Sequence, residues 1–295
     1  MPKDMILKFV SESAVHPGVS SELSNVRLRG SKEHIPSWPI TGDNMMIARV
    51  PSGIPGLDML FQGGFPSNST IALRAEPSNP TEYFQQQFIA EGLKHGFPAV
   101  YCCLSRPAAN VIRSFKHQGF DIIEQVANDQ LVFLDCYSMN KHTSAMGVDQ
   151  AIQKKIISIT EVDDEKMLQD GLATAVERIP NLKGLRAVCE SVPGTLTSRT
   201  AVEVMRWGRK AFGDLRAFET VTLHTFPLGV REELFGLMAH DFDGVIEIRV
   251  DRTTEHVRYY LSIQKMRMTE VPLRMFELEM EGGILSLKTT VQKIT

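Results

Sequence analysis

Three short segments carry side chains whose types and spacing suit chemistry on a charged ligand. The first is Asn79-Pro80-Thr81-Glu82, directly after an apolar run. It has an N-cap residue, a proline fit for the first helical position and an acid three residues after the cap, the pattern of a capping box. A helix start of this kind satisfies its own amide groups instead of offering them to an anion. The second is Glu190, which closes the apolar run Leu185 to Cys189. An acid at a strand end either holds a metal ion or pairs with a nearby arginine. The third is Lys265-Met266-Arg267 at the end of a late strand-like run. It suits an anion or a contact with another subunit, or else a solvated basic strand end with Glu247, Arg249 and Arg258 as ion-pair neighbours. Arg206, Arg209 and Lys210 cluster at the end of a helical stretch, where they either touch phosphates or complement the helix dipole.

The four cysteines, Cys102, Cys103, Cys136 and Cys189, lie in or at the ends of apolar runs and form no CxxC pair. They read as buried reduced thiols, and no zinc site is expected. Cys102 and Cys103 are adjacent in a strand and so point to opposite faces, which argues against a disulfide between them. The eight histidines share no metal-ligand spacing.

Such residues need a scaffold, and the chain supplies an α/β one. Residues 1–47 are punctuated by Ser, Pro and charge, with one short apolar stretch, and read as an amino-terminal arm. Residues 48–295 read as one domain. Strands are expected over Ser69 to Arg74, Ala99 to Leu104, Leu131 to Cys136, Leu185 to Cys189 and Glu219 to Thr225. Helices are expected over Tyr83 to His95, Ala108 to Gln118, Asp164 to Ile179 and Thr200 to Phe212, while residues 140–160 are hard to place. Alternation of this kind implies a mostly parallel sheet flanked by helices. Four further strand-like runs, Gly244 to Val250, Val257 to Lys265, Leu273 to Met280 and Ile284 to Leu287, have no helices between them. They predict an antiparallel carboxy-terminal extension. A hydrophobic share of 43% and a net charge of −3 fit a globular protein without an overall basic field. No apolar stretch approaches the roughly 20 residues of a membrane span, and the amino terminus lacks a secretory signal. A cytoplasmic protein is expected.

The segment Arg49 to Pro66, RVPSGIPGLDMLFQGGFP, resembles the opening motif of KaiC-like ATPases of the RecA superfamily. Gly53, Gly56, Gly63 and Gly64 would supply turns and positive φ around a short helix carrying Leu57 and Leu60. The likeness continues, with gaps, to about residue 288. In that family the next strand leads into a phosphate-binding loop of the GEPGTGKTT kind, whose glycines, lysine and hydroxyl hold a nucleotide and its magnesium. This chain reads AEPSNPTEYFQQQF over the same window. Ala75, Ser78 and Pro80 stand where the family has glycine, Thr81 stands for the lysine, and Glu82 stands for the magnesium-holding hydroxyl. Pro80 has no N–H to donate. A carboxylate among phosphates costs roughly 4 kcal/mol per charge pair at about 4 Å and an effective dielectric near 20. Ser105 and Arg106 replace the family's acidic pair after the next strand, so neither serves as a general base. Glu190 matches the magnesium-ordering acid of the family, one methylene longer. Lys265 and Arg267 match a K-x-R motif that points at a neighbouring subunit's nucleotide.

The resemblance therefore implies a RecA fold with a degenerate phosphate loop: a pseudo-ATPase that needs no cofactor and acts as a regulatory or assembly subunit beside other RecA-fold chains. One alternative is a divergent ATPase or kinase that binds ATP and magnesium through Lys265, Arg267 and Glu190. Another is a ring-forming nucleic-acid-binding subunit, by fold-level analogy with the RecA-fold subunits of Elongator.

Overall fold

The computed structural model describes residues 47–76, 79–138, 148–161, 165–190, 200, 202–203, 206, 220–229, 232–253 and 256–288. Of the expected arm, residues 1–47, only residue 47 lies among them. A two-stranded antiparallel ribbon, β1 (Arg49–Val50) and β2 (Phe65–Pro66), brackets a single helical turn, α1 (Leu57–Leu60). Then follow β3 (Thr70–Ala75), α2 (Asn79–Lys94), β4 (Ala99–Cys103), α3 (Ala108–His117), α4 (Ile123–Ala127) and β5 (Leu131–Asp135). Next come α5 (Gln150–Gln153), β6 (Ile157–Ser158), α6 (Glu165–Arg178), β7 (Arg186–Cys189), β8 (Val221–Pro227) and α7 (Glu232–Met238). The chain closes with β9 (Gly244–Asp251), β10 (Arg258–Met266), β11 (Met275–Glu281) and β12 (Ile284–Leu287).

Ten strands form one sheet in the order β12-β11-β10-β9-β3-β8-β7-β4-β5-β6. From β9 to β6 every pairing is parallel, and β9 to β12 are joined antiparallel. The expected mostly parallel sheet with an antiparallel extension is therefore present. Alternating residues divide between two apolar layers, as the two-residue period of a strand requires. Ile71, Leu73, Tyr101 and Cys103 join Phe84, Phe88 and Phe115 on one face. Ala72, Val100, Cys102, Val132 and Leu134 join Leu168, Leu172 and Phe235 on the other. Burial of both faces explains why these strands read as continuous apolar runs.

Several elements differ from expectation or add to it. Residues 140–160 hold α5 and β6, whose brevity hides any periodicity, and α7 was not anticipated. β11 begins at Met275 instead of Leu273, because Arg274 N–H donates to the Pro272 carbonyl in a turn. The expected helix over Thr200 to Phe212 is helical at residues 202, 203 and 206 and otherwise lies outside the described residues.

The glycines of the opening motif adopt the positive φ expected of them. Gly64 has φ 131°, and a Cβ there would stand 2.2 Å from the Val50 carbonyl oxygen. Gly53 has φ 77° and lies against the Gln87 carbonyl. That approach lets Gln87 close the sheet edge. Its Nε2 donates to the carbonyls of Gly53 (3.1 Å) and Leu285 (3.0 Å), and its Oε1 accepts from Leu285 N–H. Leu287 N–H donates to Pro55. Three backbone groups on the open side of β12 that would invite another strand are thus occupied. Gln87→Ala is expected to cost about 2–4 kcal/mol by leaving the Leu285 amide and carbonyl buried and unpaired. A urea midpoint shift at constant slope measures it.

Candidate functional site

The carboxyl ends of β3, β4, β7 and β8 converge with the start of α2 on a cleft of about 310 Å³. Ligands of open α/β sheets bind in this position. Its polar walls are Glu76 after β3, Thr81, Glu82 and Gln85 on the first turns of α2, Ser105 and Arg106 after β4, Glu190 after β7 and Thr225 on β8. Ala75, Phe226 and Pro227 supply the apolar side.

Glu190 is the centre of the polar network and is only 3% exposed. Tyr101 Oη lies 2.9 Å from its Oε1, Ser105 Oγ donates to Oε2 at 2.8 Å, and Arg106 Nη2 reaches Oε1 at 3.3 Å. Burial pushes the Glu190 carboxyl above its ordinary range, against the opposing pull of Arg106 and the hydrogen bonds from Ser105 and Tyr101. Burial also lifts the Tyr101 phenol well above its usual value, helped by the Glu190 charge. Tyr101 therefore serves Glu190 as a protonated donor. Gln85 Oε1 stands 3.2 Å from the same phenol, and Gln85 Nε2 donates to Thr225 Oγ1 at 3.2 Å.

Arg106 bridges two acids. Its Nη1 lies 2.7 Å from Glu82 Oε1, while its Nη2 serves Glu190. Burial disfavours the guanidinium charge, but Glu190, Tyr101 and Glu82 outweigh it and shift Arg106 upward. Glu82 also accepts from Gln86 Nε2 at 3.1 Å and from the Ser114 hydroxyl of α3. Of the two readings of Glu190, metal ligand or partner of an arginine, the geometry realises the ion pair. Among the described residues no cluster of three or more His, Cys, Asp or Glu side chains is arranged to hold a metal.

The loop that carries Ser105 and Arg106 is fixed from below. Asp135, fully buried at the end of β5, accepts from Ala108 N–H at 2.9 Å and so holds the first turn of α3. It also accepts from Tyr137 N–H, Ser138 N–H and Ser138 Oγ. Tyr101, Gln85, Thr225 and Asp135 are site residues that residue type alone did not single out. Their common signal is a polar group inside or ending an otherwise apolar strand or helix.

The sequence-derived candidates divide. Ala75, Thr81, Glu82, Ser105, Arg106 and Glu190 line one cleft, and Pro80 is buried at the start of α2 beside it. Ser78 lies outside the described residues, as do Arg209 and Lys210; Arg206 is exposed on helical backbone. Lys265 and Arg267 stand elsewhere. They sit where the end of β10 pairs with the amino end of β9, the neighbour of β3, at the opposite end of the sheet from the cleft. Lys265 Nζ donates to the carbonyls of Ala239, His240 and Phe242 at 3.1, 3.3 and 2.5 Å. Arg267 reaches the His240 carbonyl at 2.8 Å and the Asp243 carboxylate at 3.1 Å. Both cations satisfy the carbonyls after α7, as basic side chains do at helix ends. Glu247, expected beside them, instead pairs with Arg74 at 2.7 Å and Arg249 at 2.8 Å. A single chain therefore does not assemble Glu190, Lys265 and Arg267 into one site.

A family model described as "ATPase: KaiC" matches residues 50–290. A UPF0273 protein of Pyrobaculum aerophilum is 28% identical over 257 residues, covering 85% of this chain and 86% of the relative. A UPF0273 protein of Thermotoga maritima is 25% identical over 248 residues, covering 81% and 96%. The crystal structure of a KaiC-like protein from Pyrococcus horikoshii superposes with a TM-score of 0.66 at 20% identity. That likeness covers 83% of this chain and all of the other, and it establishes the fold. The opening glycine motif, the sheet order and a family match over most of the sequence agree, and the chain belongs to the KaiC ATPase family.

Proposed function

We propose that this chain is a non-catalytic KaiC-like protein that has given up nucleotide chemistry and acts as a regulatory or assembly subunit through contacts with other RecA-fold chains. The observation that carries the proposal is the Arg106 bridge between Glu82 and Glu190 across the cleft. In the family resemblance these positions should face phosphates and magnesium. Here an internal cation satisfies two acids, and a triphosphate entering the cleft would have to displace Arg106 and then face both carboxylates. Pro80 withdraws one amide from the start of α2, and Thr81 offers no charge.

Titration calorimetry with Mg-ATP at millimolar concentration is expected to show no saturable heat, and phosphate release is expected to stay at background. Saturable binding, or a phosphate release that disappears in Glu190→Gln, would establish the divergent ATPase instead. Native mass spectrometry of complexes isolated from the source organism is expected to show this chain with RecA-fold partners or further copies of itself; a solitary chain in every preparation contradicts the assembly role.

A further inference from the structure

Three of the four cysteines share a layer. Cys102 on β4, Cys136 just after β5 and Cys189 at the end of β7 belong to the apolar cluster beneath α6 and α7, whereas Cys103 faces the opposite cluster. β4 lies between β5 and β7 in the sheet, so Cys102 is the middle thiol. Its Sγ lies 3.5 Å from that of Cys136. Cys189 is its register partner on β7. A distance of about 2.05 Å would be required of a bonded pair, so the two touching sulfurs need to close by roughly 1.5 Å, within reach of side-chain rotation and a small shift at the strand end. The backbone at Cys136 is held by its N–H bond to the Cys103 carbonyl and by Asp135, so rotation of the two cysteine side chains has to supply most of the approach.

We propose that Cys102 and Cys136 form a reversible disulfide when the protein meets a peroxide. One thiol is oxidised by hydrogen peroxide to a sulfenic acid: the S–O bond forms, the O–O bond breaks and water leaves. The second sulfur then attacks the sulfenic sulfur, the S–S bond forms and a second water carries off the oxygen and two protons. The contacts with Cys136 and Cys189 hold the Cys102 thiol well below its ordinary value in spite of burial, whereas Cys136 is held above its own. Cys102 lies between the other two thiols, so it is the sulfur common to any pairing in this layer. The bond would join β4 to β5 directly below the segment with Ser105 and Arg106, since Cys136 N–H already donates to the Cys103 carbonyl at 2.9 Å. The redox state of the pair would then be felt at the cleft.

The test uses the full chain, folded, before and after hydrogen peroxide. Remaining thiols are blocked with an alkylating reagent on unfolding in acid, and disulfide-linked peptides are mapped by mass spectrometry. Alkylation at all four cysteines is expected before treatment. After treatment two are expected, Cys103 and Cys189, with a peptide pair joined through Cys102 and Cys136; dithiothreitol restores the original count. Cys103→Ser is expected to leave the cross-link intact, and Cys102→Ser to abolish it. Four alkylated cysteines after peroxide, sulfinic or sulfonic acids in place of a cross-link, or a cross-link that omits Cys102 or Cys136 overturns the proposal. The wild-type map decides even if a variant fails to fold.

Discussion

Arg106→Met is expected to lower stability by about 3 kcal/mol at neutral pH, because it leaves the buried Glu190 carboxylate without its cation. Methionine keeps much of the side-chain volume, so the loss reports charge more than packing. Glu190 already has a pKa raised by burial, and Arg106 is the charge that opposes the rise. Removing Arg106 raises it further. The sign follows from linkage: a carboxyl whose folded pKa exceeds its unfolded value stabilises the fold fully below the unfolded pKa and loses that contribution as pH climbs through the folded value. The deficit of Arg106→Met against wild type should therefore be small in mild acid and grow toward neutrality. Glu190→Gln placed in the same background should recover much of it, because the amide carries no charge while its oxygen can still accept from Ser105 or Tyr101. Denaturant melts at several pH values, arranged as a double-mutant cycle, read the coupling. A deficit that is flat with pH, together with additive single mutants, would show that Arg106 and Glu190 do not act as a pair.

How far the chain announced this arrangement depends on the residue. The sheet was legible because both of its faces are covered: runs such as AVYCC and LVFL are nearly all apolar and bounded by turn or polar residues. The glycines were legible because positive φ at Gly53 and Gly64 excludes other residues at low cost. The cleft was half legible. Comparison with a working phosphate loop pointed to Glu82, Arg106 and Glu190 one at a time. That they meet in one ion-paired network depends on the crossover from β3 past the places of β8 and β7 to β4, which periodicity does not encode. The run FQQQF on α2 illustrates the same limit. Three glutamines resemble a solvated stretch, yet Gln85, Gln86 and Gln87 are all nearly inaccessible, between Phe84 and Phe88. Each reaches a different neighbour: Thr225, Glu82 and the backbone of β12. Lys265 and Arg267 show a related limit within the single chain. The motif likeness drew them toward a ligand, whereas three carbonyls after α7 and Asp243 already claim their donors.

The other large effect is expected at Asp135, whose role rests on backbone donors and not on a second charge. Asp135→Ala removes the acceptor for the Ala108, Tyr137 and Ser138 amides. A buried donor left unpaired costs about 1–3 kcal/mol. With partial relaxation the sum should be about 3–5 kcal/mol, a large part of the 5–15 kcal/mol typical of a folded domain. The carboxylate also faces the amino end of α3, where the helix dipole favours an anion. A contrasting acid sharpens the test. Asp149 caps α5 through a single bond to Ala151 N–H at an exposed position, so Asp149→Ala should lose about 1 kcal/mol at most. The two variants carry the same chemical change and differ in burial and in the number of donors served. Because Ala108 lies two residues beyond Arg106, loosening it should also free the guanidinium. Asp135→Ala combined with Arg106→Met is then expected to cost less than the sum of the single changes. Urea midpoints for the four proteins, with hydrogen exchange at Ala108 and Ser138, measure both points. Equal losses for Asp135→Ala and Asp149→Ala, or strict additivity with Arg106→Met, would mean that Asp135 only ends a strand and does not hold the arginine in the cleft.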